Sequence, residues 1–191
     1  MRLKPYLTTF TEAGCDEAGR GCLAGPVVAA AVILPKGYKN KRLNDSKKVS
    51  KKLRNELRLD IEKKAISIGI GIVDERKIEK INILQASLLA MHIAISKLNT
   101  DPSHLVIDGN KFNPYPEIEH TCIIKGDGKF LNIAAASIIA KTTRDDIMIE
   151  LSKKYPNYLW NENKGYPTKK HKLAISRYGI TGNHRKSFKL T

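Results

Sequence analysis

The sequence lacks both the long apolar runs of a membrane span and the paired cysteines of a secreted, disulfide-bonded protein. Its longest apolar run covers 27–34, whereas crossing a bilayer takes roughly 18 residues. The chain has three cysteines in 191 residues, no CxxC pair, and no apolar stretch among its first residues. We therefore expect a cytoplasmic protein with reduced thiols and no membrane partner.

Glycine motifs for nucleotide binding are also absent. Gly19, Gly21 and Gly25 lack the GxGxxG spacing, and no GxxxxGK[ST] occurs in the chain. None of the five histidines has the spacing of a zinc site or of a nucleophile triad. These absences argue against a nucleotide cofactor, and against chemistry that depends on a histidine base. The glycines can instead allow backbone to approach a ligand closely, for instance a ribose hydroxyl.

Positive charge is abundant and lies mainly in two segments. The net charge is +15. Residues 36–54 carry nine Lys/Arg and one acid, and residues 164–191 carry eight Lys/Arg and no acid. The rest of the chain is close to neutral. Two basic segments on a neutral body are typical of a protein that binds nucleic acid, although a solvated lysine-rich surface has the same composition.

Apolar periodicity predicts an α/β domain. Strands are predicted over 10–16, 27–34, 65–73, 104–108 and 118–124. Helices are predicted after Ser50, from Asn82, over 131–151 and after Pro167. Short links between the first strands favour antiparallel pairing, and a helical crossover before the fourth favours parallel pairing. We expect a mixed five-stranded sheet flanked by helices, in one domain with its core over about 10–155 and a basic helical tail over about 156–191.

Four acidic residues follow apolar strands or lie in glycine turns: Asp16, Glu17, Asp108 and Asp127. A lone charge in such a place is costly unless it is paired or bound to a cation. If strand ends bring these acids together, their oxygens suit Mg²⁺ or Mn²⁺, and two such ions can activate a water against a phosphodiester. Asp16 and Glu17 are consecutive, so they share a site only if the strand ends or bulges between them. Ordinary capping and turn roles are the alternative.

Seven short segments occur in order between residue 14 and the C-terminal tail. They are Asp16-Glu17-Ala18-Gly19-Arg20-Gly21, Leu43-Asn44-Asp45-Ser46-Lys47-Lys48, Ile107-Asp108-Gly109-Asn110, Lys125-Gly126-Asp127, Ala134-Ala135-Ala136-Ser137-Ile138-Ile139-Ala140-Lys141 with Arg144-Asp145, Asn163-Lys164-Gly165-Tyr166-Pro167-Thr168, and His184-Arg185-Lys186-Ser187-Phe188. In this order and spacing the chain resembles bacterial ribonuclease HII, a type 2 ribonuclease H. It has no long extra N-terminal domain of the ribonuclease HIII kind, so we expect it to belong with HII.

The resemblance implies a ribonuclease H-like fold and an endonuclease that needs Mn²⁺ or Mg²⁺ and works as a monomer. Its substrates would be the RNA strand of RNA–DNA hybrids and single ribonucleotides in duplex DNA, cut on the 5′ side to leave 3′-hydroxyl and 5′-phosphate ends. Asp16, Glu17 and Asp108 would be the metal ligands and Asp127 the fourth catalytic acid. The implied substrate contacts are Gly19, Arg20 and Gly21 at the ribonucleotide, Tyr166 on the next deoxyribose, and Ser46, Lys47 and Lys125 at phosphates.

Two other functions stay open at this point. Another metal nuclease of the same fold, such as a junction resolvase or a ribonuclease HI-like enzyme, would have no use for the Gly-Arg-Gly loop with Tyr166. A non-catalytic binding module such as a ribosomal protein would explain the basic segments but not the acids at strand ends. His171 and His184 lie in the basic tail, where we expect them to contact phosphate or solvent.

Overall fold

The computed structural model describes residues 3–190 and is built on a mixed five-stranded sheet. Its strands are β1 (Glu12–Ala18), β2 (Val27–Ile33), β3 (Ser67–Val73), β4 (His104–Asp108) and β5 (Glu119–Ile123). They lie in the order β3-β2-β1-β4-β5. β2 is antiparallel to both β1 and β3, whereas β4 is parallel to both β1 and β5. The predicted mixed sheet is confirmed.

Helices cover both faces of this sheet. They are α1 (Lys51–Lys64), α2 (Glu75–Ser96), α3 (Leu131–Lys154), α4 (Trp160–Asn163) and α5 (Lys169–Tyr178). β2 shows the two layers directly, because Ala30 and Val32 pack in the cluster that contains α3, while Ala29 and Ala31 pack in the cluster that contains α2. The alternation of side chains along a strand therefore divides the core into two halves.

Glycines let the two large helices approach the sheet closely. A Cβ on Gly14 would lie 2.2 Å from the carbonyl carbon of Asn132 at the start of α3. A Cβ on Gly69 or on Gly71 would lie 1.9 Å from a carbonyl oxygen of α2, that of Ala94 or of Ala90. No larger residue fits at these positions unless the helix moves.

The α2 helix differs from its prediction because it begins seven residues earlier than Asn82. Asp74 caps it by accepting from the amide of Lys77 at 2.8 Å. Asn82 is instead a kink inside the helix, with φ 64°, where its side chain accepts from the amide of Gln85. The helix has the length and the mean hydropathy, 1.3, of a membrane span, and its buried residues pack against the sheet as in a core helix.

The C-terminal part of the chain folds back onto the turn that follows β1. Leu23 and Ala24 of that turn pack with Met148 of α3, Trp160 of α4 and Ile175 of α5. The predicted helix after Pro167 is confirmed as α5, which Thr168 caps. The tail is thus held beside the end of β1, where the first of the four acids lie.

Candidate active site

Parallel strand pairing brings three of the four acids together. Cys15 of β1 pairs with Ile107 of β4, so Asp16 and Asp108 are the next residues along neighbouring strands. Asp127 follows β5 in a 3-10 turn, Gly126–Gly128, at the same edge of the sheet. Carboxylate oxygens of Asp16, Asp108 and Asp127 lie within 4.8 Å of one another. We call these three residues the aspartate cluster.

Local hydrogen bonds fix the orientation of Asp16 and Asp108. Asp108 accepts from the amide of Gly126 at 2.6 Å, which ties β4 to the turn that carries Asp127. Asp16 accepts from the amide of Glu17 at 2.7 Å, and Ser137 of α3 lies near its carboxylate. Positioning therefore comes from both the backbone and the helix behind the sheet.

The electrostatics of the aspartate cluster favour a bound cation. Burial raises the pKa of Asp16 well above its ordinary value, and the charges of Glu17 and Asp108 raise it further. Burial, with Asp108 and Asp45 nearby, raises the pKa of Asp127 to about 6. Clustered carboxylates in a low-dielectric site repel one another unless a positive charge lies between them. Hard oxygen donors of this kind fit Mg²⁺ or Mn²⁺, which would compete with protons for Asp127 below about pH 6.

Glu17 lies on the other face of the sheet from Asp16. The pairing of β1 with β2 runs without interruption from Gly14 to Ala18, so consecutive side chains alternate and Glu17 does not join the aspartate cluster. Its carboxylate accepts from Arg20 at 3.3 Å and lines a groove of about 190 Å³ together with Asp108 and α2. Asp108 thus borders both the cluster and the groove. Metal ligation by Glu17 stays a prediction.

The strand containing these acids also ends later than predicted. β1 runs to Ala18 rather than to Asp16, so Asp16 and Glu17 both lie inside it. Asp16 pairs with Ala30 of β2 and Glu17 with Ala29, so the strand continues through both acids. The structure therefore excludes a strand end between the two acids, which would have placed them in one cluster.

The Gly19-Arg20-Gly21 loop follows β1 and is held by two buried arginines. Gly19 has φ +98°, and a Cβ there would lie 2.0 Å from Nε of Arg144. Arg144 donates to the carbonyls of Ala24, Pro26 and Lys164, each at 2.8–3.0 Å. Arg185 donates to those of Arg20 and Gly25. Both guanidiniums are fully buried and bond backbone carbonyls, so they fix the course of the loop.

Tyr166 lies directly beside this loop. The amide of Leu23, two residues beyond Gly21, donates to the carbonyl of Gly165 at 2.8 Å and so ties the chain at Tyr166 to this turn. Burial, followed by the neighbouring Cys22, raises the pKa of Tyr166 to about 12. The ring is half-buried, and Nζ of Lys141 lies 5.5 Å from its centre. Two segments that are far apart in sequence therefore meet at the loop that follows Glu17.

The three predicted phosphate contacts lie in different environments. Lys47 is 73% exposed, and its Nζ lies 3.9 Å from Asp127. Lys125 is exposed, immediately before the turn that holds Asp127. Ser46 is buried, and a 2.9 Å hydrogen bond links its hydroxyl to that of Ser137. Lys47 and Lys125 are thus accessible to a phosphate, whereas the Ser46 side chain faces the interior. All three assignments stay predictions.

The expectation that His171 and His184 contact phosphate or solvent is wrong. Both side chains are buried, and both contact Trp160. The charge of the surrounding tail suggested an exposed position, but the tail folds over them. Sequence reasoning also missed the roles of Ser137, Arg144 and Arg185, because nothing in a local pattern shows which carbonyl or carboxylate a buried side chain will meet.

Comparison with known proteins places these features among ribonucleases. A family model described as Ribonuclease HII matches residues 13–191. Ribonuclease HII of Parabacteroides distasonis is 62% identical over 98% of this chain and 95% of that protein. The crystal structure of ribonuclease H2 from Pyrococcus horikoshii OT3 superposes with a TM-score of 0.76 at 24% identity, over 94% of each chain. Bst-RNase HIII in complex with Mn²⁺ superposes with a TM-score of 0.78 at 19% identity, over 97% of this chain and 69% of that one.

Proposed function

Because the chain belongs to the ribonuclease HII family, and is therefore a ribonuclease H endonuclease acting on RNA–DNA hybrids, we propose that it also incises duplex DNA 5′ of a single embedded ribonucleotide. The observation that carries the proposal is the groove that Asp108 of the aspartate cluster shares with Glu17 and with Arg20 of the Gly19-Arg20-Gly21 loop. The carboxylates would bind the metal that cleavage needs, and the backbone of the loop can lie close to a ribose.

The aspartate cluster is the place where divalent metal would bind. Asp16, Asp108 and Asp127 would hold one cation, and Glu17 with Asp108 would hold a second in the adjoining groove. Mn²⁺ or Mg²⁺ there would lower the pKa of a water and stabilise the leaving 3′ oxygen, giving 3′-hydroxyl and 5′-phosphate ends. Lys47 and Lys125, both exposed beside Asp127, would bind the phosphates next to the scissile bond.

Recognition of the ribonucleotide would depend on the loop. Gly21 is exposed and has open space where a Cβ would project, so a sugar can approach its backbone. Backbone amides and carbonyls can then bond the 2′-hydroxyl, the group that separates RNA from DNA. Arg20, half-exposed at the mouth of the groove, would reach the adjacent phosphate. Tyr166 would stack on the deoxyribose that follows.

A duplex carrying one ribonucleotide tests this function. In Mn²⁺ or Mg²⁺ we expect a single cut 5′ of the ribonucleotide, with a 3′-hydroxyl on one fragment and a 5′-phosphate on the other, mapped on a sequencing gel and by mass spectrometry. The same duplex made entirely of DNA should stay intact, as should every substrate in EDTA. Cleavage of a long RNA–DNA hybrid without any cut at the single ribonucleotide would overturn the proposal.

A further inference from the structure

Tyr166 and the Gly19-Arg20-Gly21 loop belong to distant parts of the chain, yet the proposed function needs them in fixed relative positions. We propose that two buried imidazoles, His171 and His184, are positioning residues that connect Tyr166 to this loop. The inference rests on the proposed function for its consequence in cleavage, but the connection itself is a property of the fold.

His171 is bonded on both sides of its ring. Its Nδ1 lies 3.0 Å from the carbonyl oxygen of Tyr166, and its Nε2 lies 3.0 Å from the indole nitrogen of Trp160. Since a carbonyl only accepts and an indole nitrogen only donates, Nδ1 of His171 must carry the proton and Nε2 must accept. The imidazole therefore anchors the main chain at Tyr166 to the buried Trp160.

His184 extends the connection to the loop. Its Nδ1 accepts from the amide of Thr181 at 2.9 Å, so its Nε2 carries the proton. That Nε2 lies 3.3 Å from Nε2 of His171, whose one lone pair is shared between this N–H and the shorter bond from Trp160. His184 also forms a β-bridge with Ala24, and the next amide, that of Arg185, donates to the carbonyl of Leu23 at 2.8 Å. The imidazole pair thus reaches the turn that contains the Gly-Arg-Gly loop.

The other end of the connection is Gly165, the residue before Tyr166, whose carbonyl accepts from the amide of Leu23 in the same turn at 2.8 Å. The main chain at Tyr166 is therefore held at two neighbouring carbonyls, its own through the imidazoles and that of Gly165 through Leu23. Burial lowers the pKa of both histidines, that of His184 to about 4, so both rings stay neutral at ordinary assay pH. Neither imidazole contacts an acid of the aspartate cluster, so their effect on cleavage would pass through Tyr166.

Two substitutions of His171 separate the anchoring of Tyr166 from simple packing. In His171→Asn, the amide nitrogen can take the place of Nδ1 and keep the bond to the Tyr166 carbonyl. In His171→Gln, the longer side chain can reach the place of Nε2 and bond Trp160, but it no longer bonds that carbonyl, which keeps only the amide of Thr168. His171→Asn removes more volume than His171→Gln, so a pure packing effect would be larger in His171→Asn, the opposite of the order expected from anchoring.

Thiol labelling with iodoacetamide, followed residue by residue by mass spectrometry, measures the connection without any substrate. Cys22 is fully buried in the native protein. We expect it to react at least about tenfold faster in His171→Gln and at the wild-type rate in His171→Asn, because only the first variant frees Tyr166. Cys15, buried inside β1, should stay protected in every variant and reports on general unfolding.

Cleavage assays measure how the anchoring of Tyr166 affects the choice of substrate. The ratio of rates on a single embedded ribonucleotide and on a long hybrid should fall about tenfold in His171→Gln, as in Tyr166→Ala, and change less than about twofold in His171→Asn. Equal behaviour of the two His171 variants, joint exposure of Cys15 and Cys22, or equal loss on both substrates would overturn the inference. If the wild type does not cut at a single ribonucleotide, the proposed function fails, and Cys22 labelling alone decides the positioning role.

Discussion

Replacing Asp108 with Asn is expected to reduce cleavage of both substrates by about a thousandfold or more. Asp108 borders both the aspartate cluster and the groove that holds Glu17, so the loss of its charge weakens every cation position in the site. Losing about 4 kcal/mol of transition-state stabilisation corresponds to a factor of about a thousand. Asparagine keeps the shape of the side chain, and its oxygen can still accept from the amide of Gly126, so the fold should persist.

Binding of nucleic acid should change little in Asp108→Asn, because the basic segments rather than the acids hold phosphates. Single-turnover cleavage and fluorescence anisotropy on the same labelled duplex measure the two properties separately. Glu150→Gln is the control, since Glu150 is exposed on α3 and forms its ion pair with the neighbouring Lys153. If Asp108→Asn cleaves at a rate within tenfold of the wild type, Asp108 is not a catalytic residue and the prediction is wrong.

Asp16→Asn is expected to make the metal-free protein more stable, although it removes catalytic activity. Burial and the charges of Glu17 and Asp108 raise the pKa of Asp16, so at neutral pH its ionised form destabilises the fold. The amide removes that charge and keeps the volume. We expect the Tm in EDTA to rise by at least about 3 °C, since 1 kcal/mol shifts the Tm of a chain of this size by about 2–4 °C.

The difference in Tm between Asp16→Asn and the wild type should depend on pH in one direction. A carboxyl whose pKa is raised by folding binds more protons in the native than in the unfolded state, so acidification stabilises the native state. The advantage of Asp16→Asn over the wild type should therefore be fully present above the raised pKa of Asp16 and should shrink as the pH falls towards the ordinary carboxyl pKa of about 4. Scanning calorimetry of both proteins in EDTA at several pH values measures it.

Mn²⁺ should reverse the order of the Tm values of the wild type and Asp16→Asn. A ligand present at about 100 times its Kd stabilises the native state by about 2.7 kcal/mol, so Mn²⁺ should raise the Tm of the wild type above that of Asp16→Asn. The prediction fails if Asp16→Asn melts below the wild type in EDTA, or if Mn²⁺ raises the Tm of the two proteins equally. Either result would show that Asp16 does not contribute to an anionic cation site.

Much of the site follows from local patterns in the sequence. Apolar strands that end at Asp108 and shortly before Asp127, with a helical crossover between parallel strands, predict that these acids meet at one sheet edge. Hydrophobic periodicity locates the five strands, whose ends move by no more than about two residues in the structure. Strand pairing decides the rest, because the unbroken register of β1 with β2 is what separates Glu17 from Asp16.

Buried polar residues of the tail could not be predicted in the same way. His171 and His184 lie among lysines in the sequence, yet the tail folds back on the turn after β1 and covers both of them. Arg144 and Arg185 bond carbonyls more than 100 residues away in most cases, and no local pattern encodes such partners. Periodicity reports which face of an element is apolar, whereas these side chains are buried because their hydrogen bonds are satisfied.

Diffraction from crystals soaked in Mn²⁺, recorded to use the anomalous signal of manganese, tests the central claim most directly. The account predicts an anomalous peak within coordination distance of carboxylate oxygens from Asp16, Asp108 and Asp127, and its loss in Asp108→Asn crystals treated identically. Manganese absent from these three aspartates in the wild type, or unchanged there after Asp108→Asn, would contradict it.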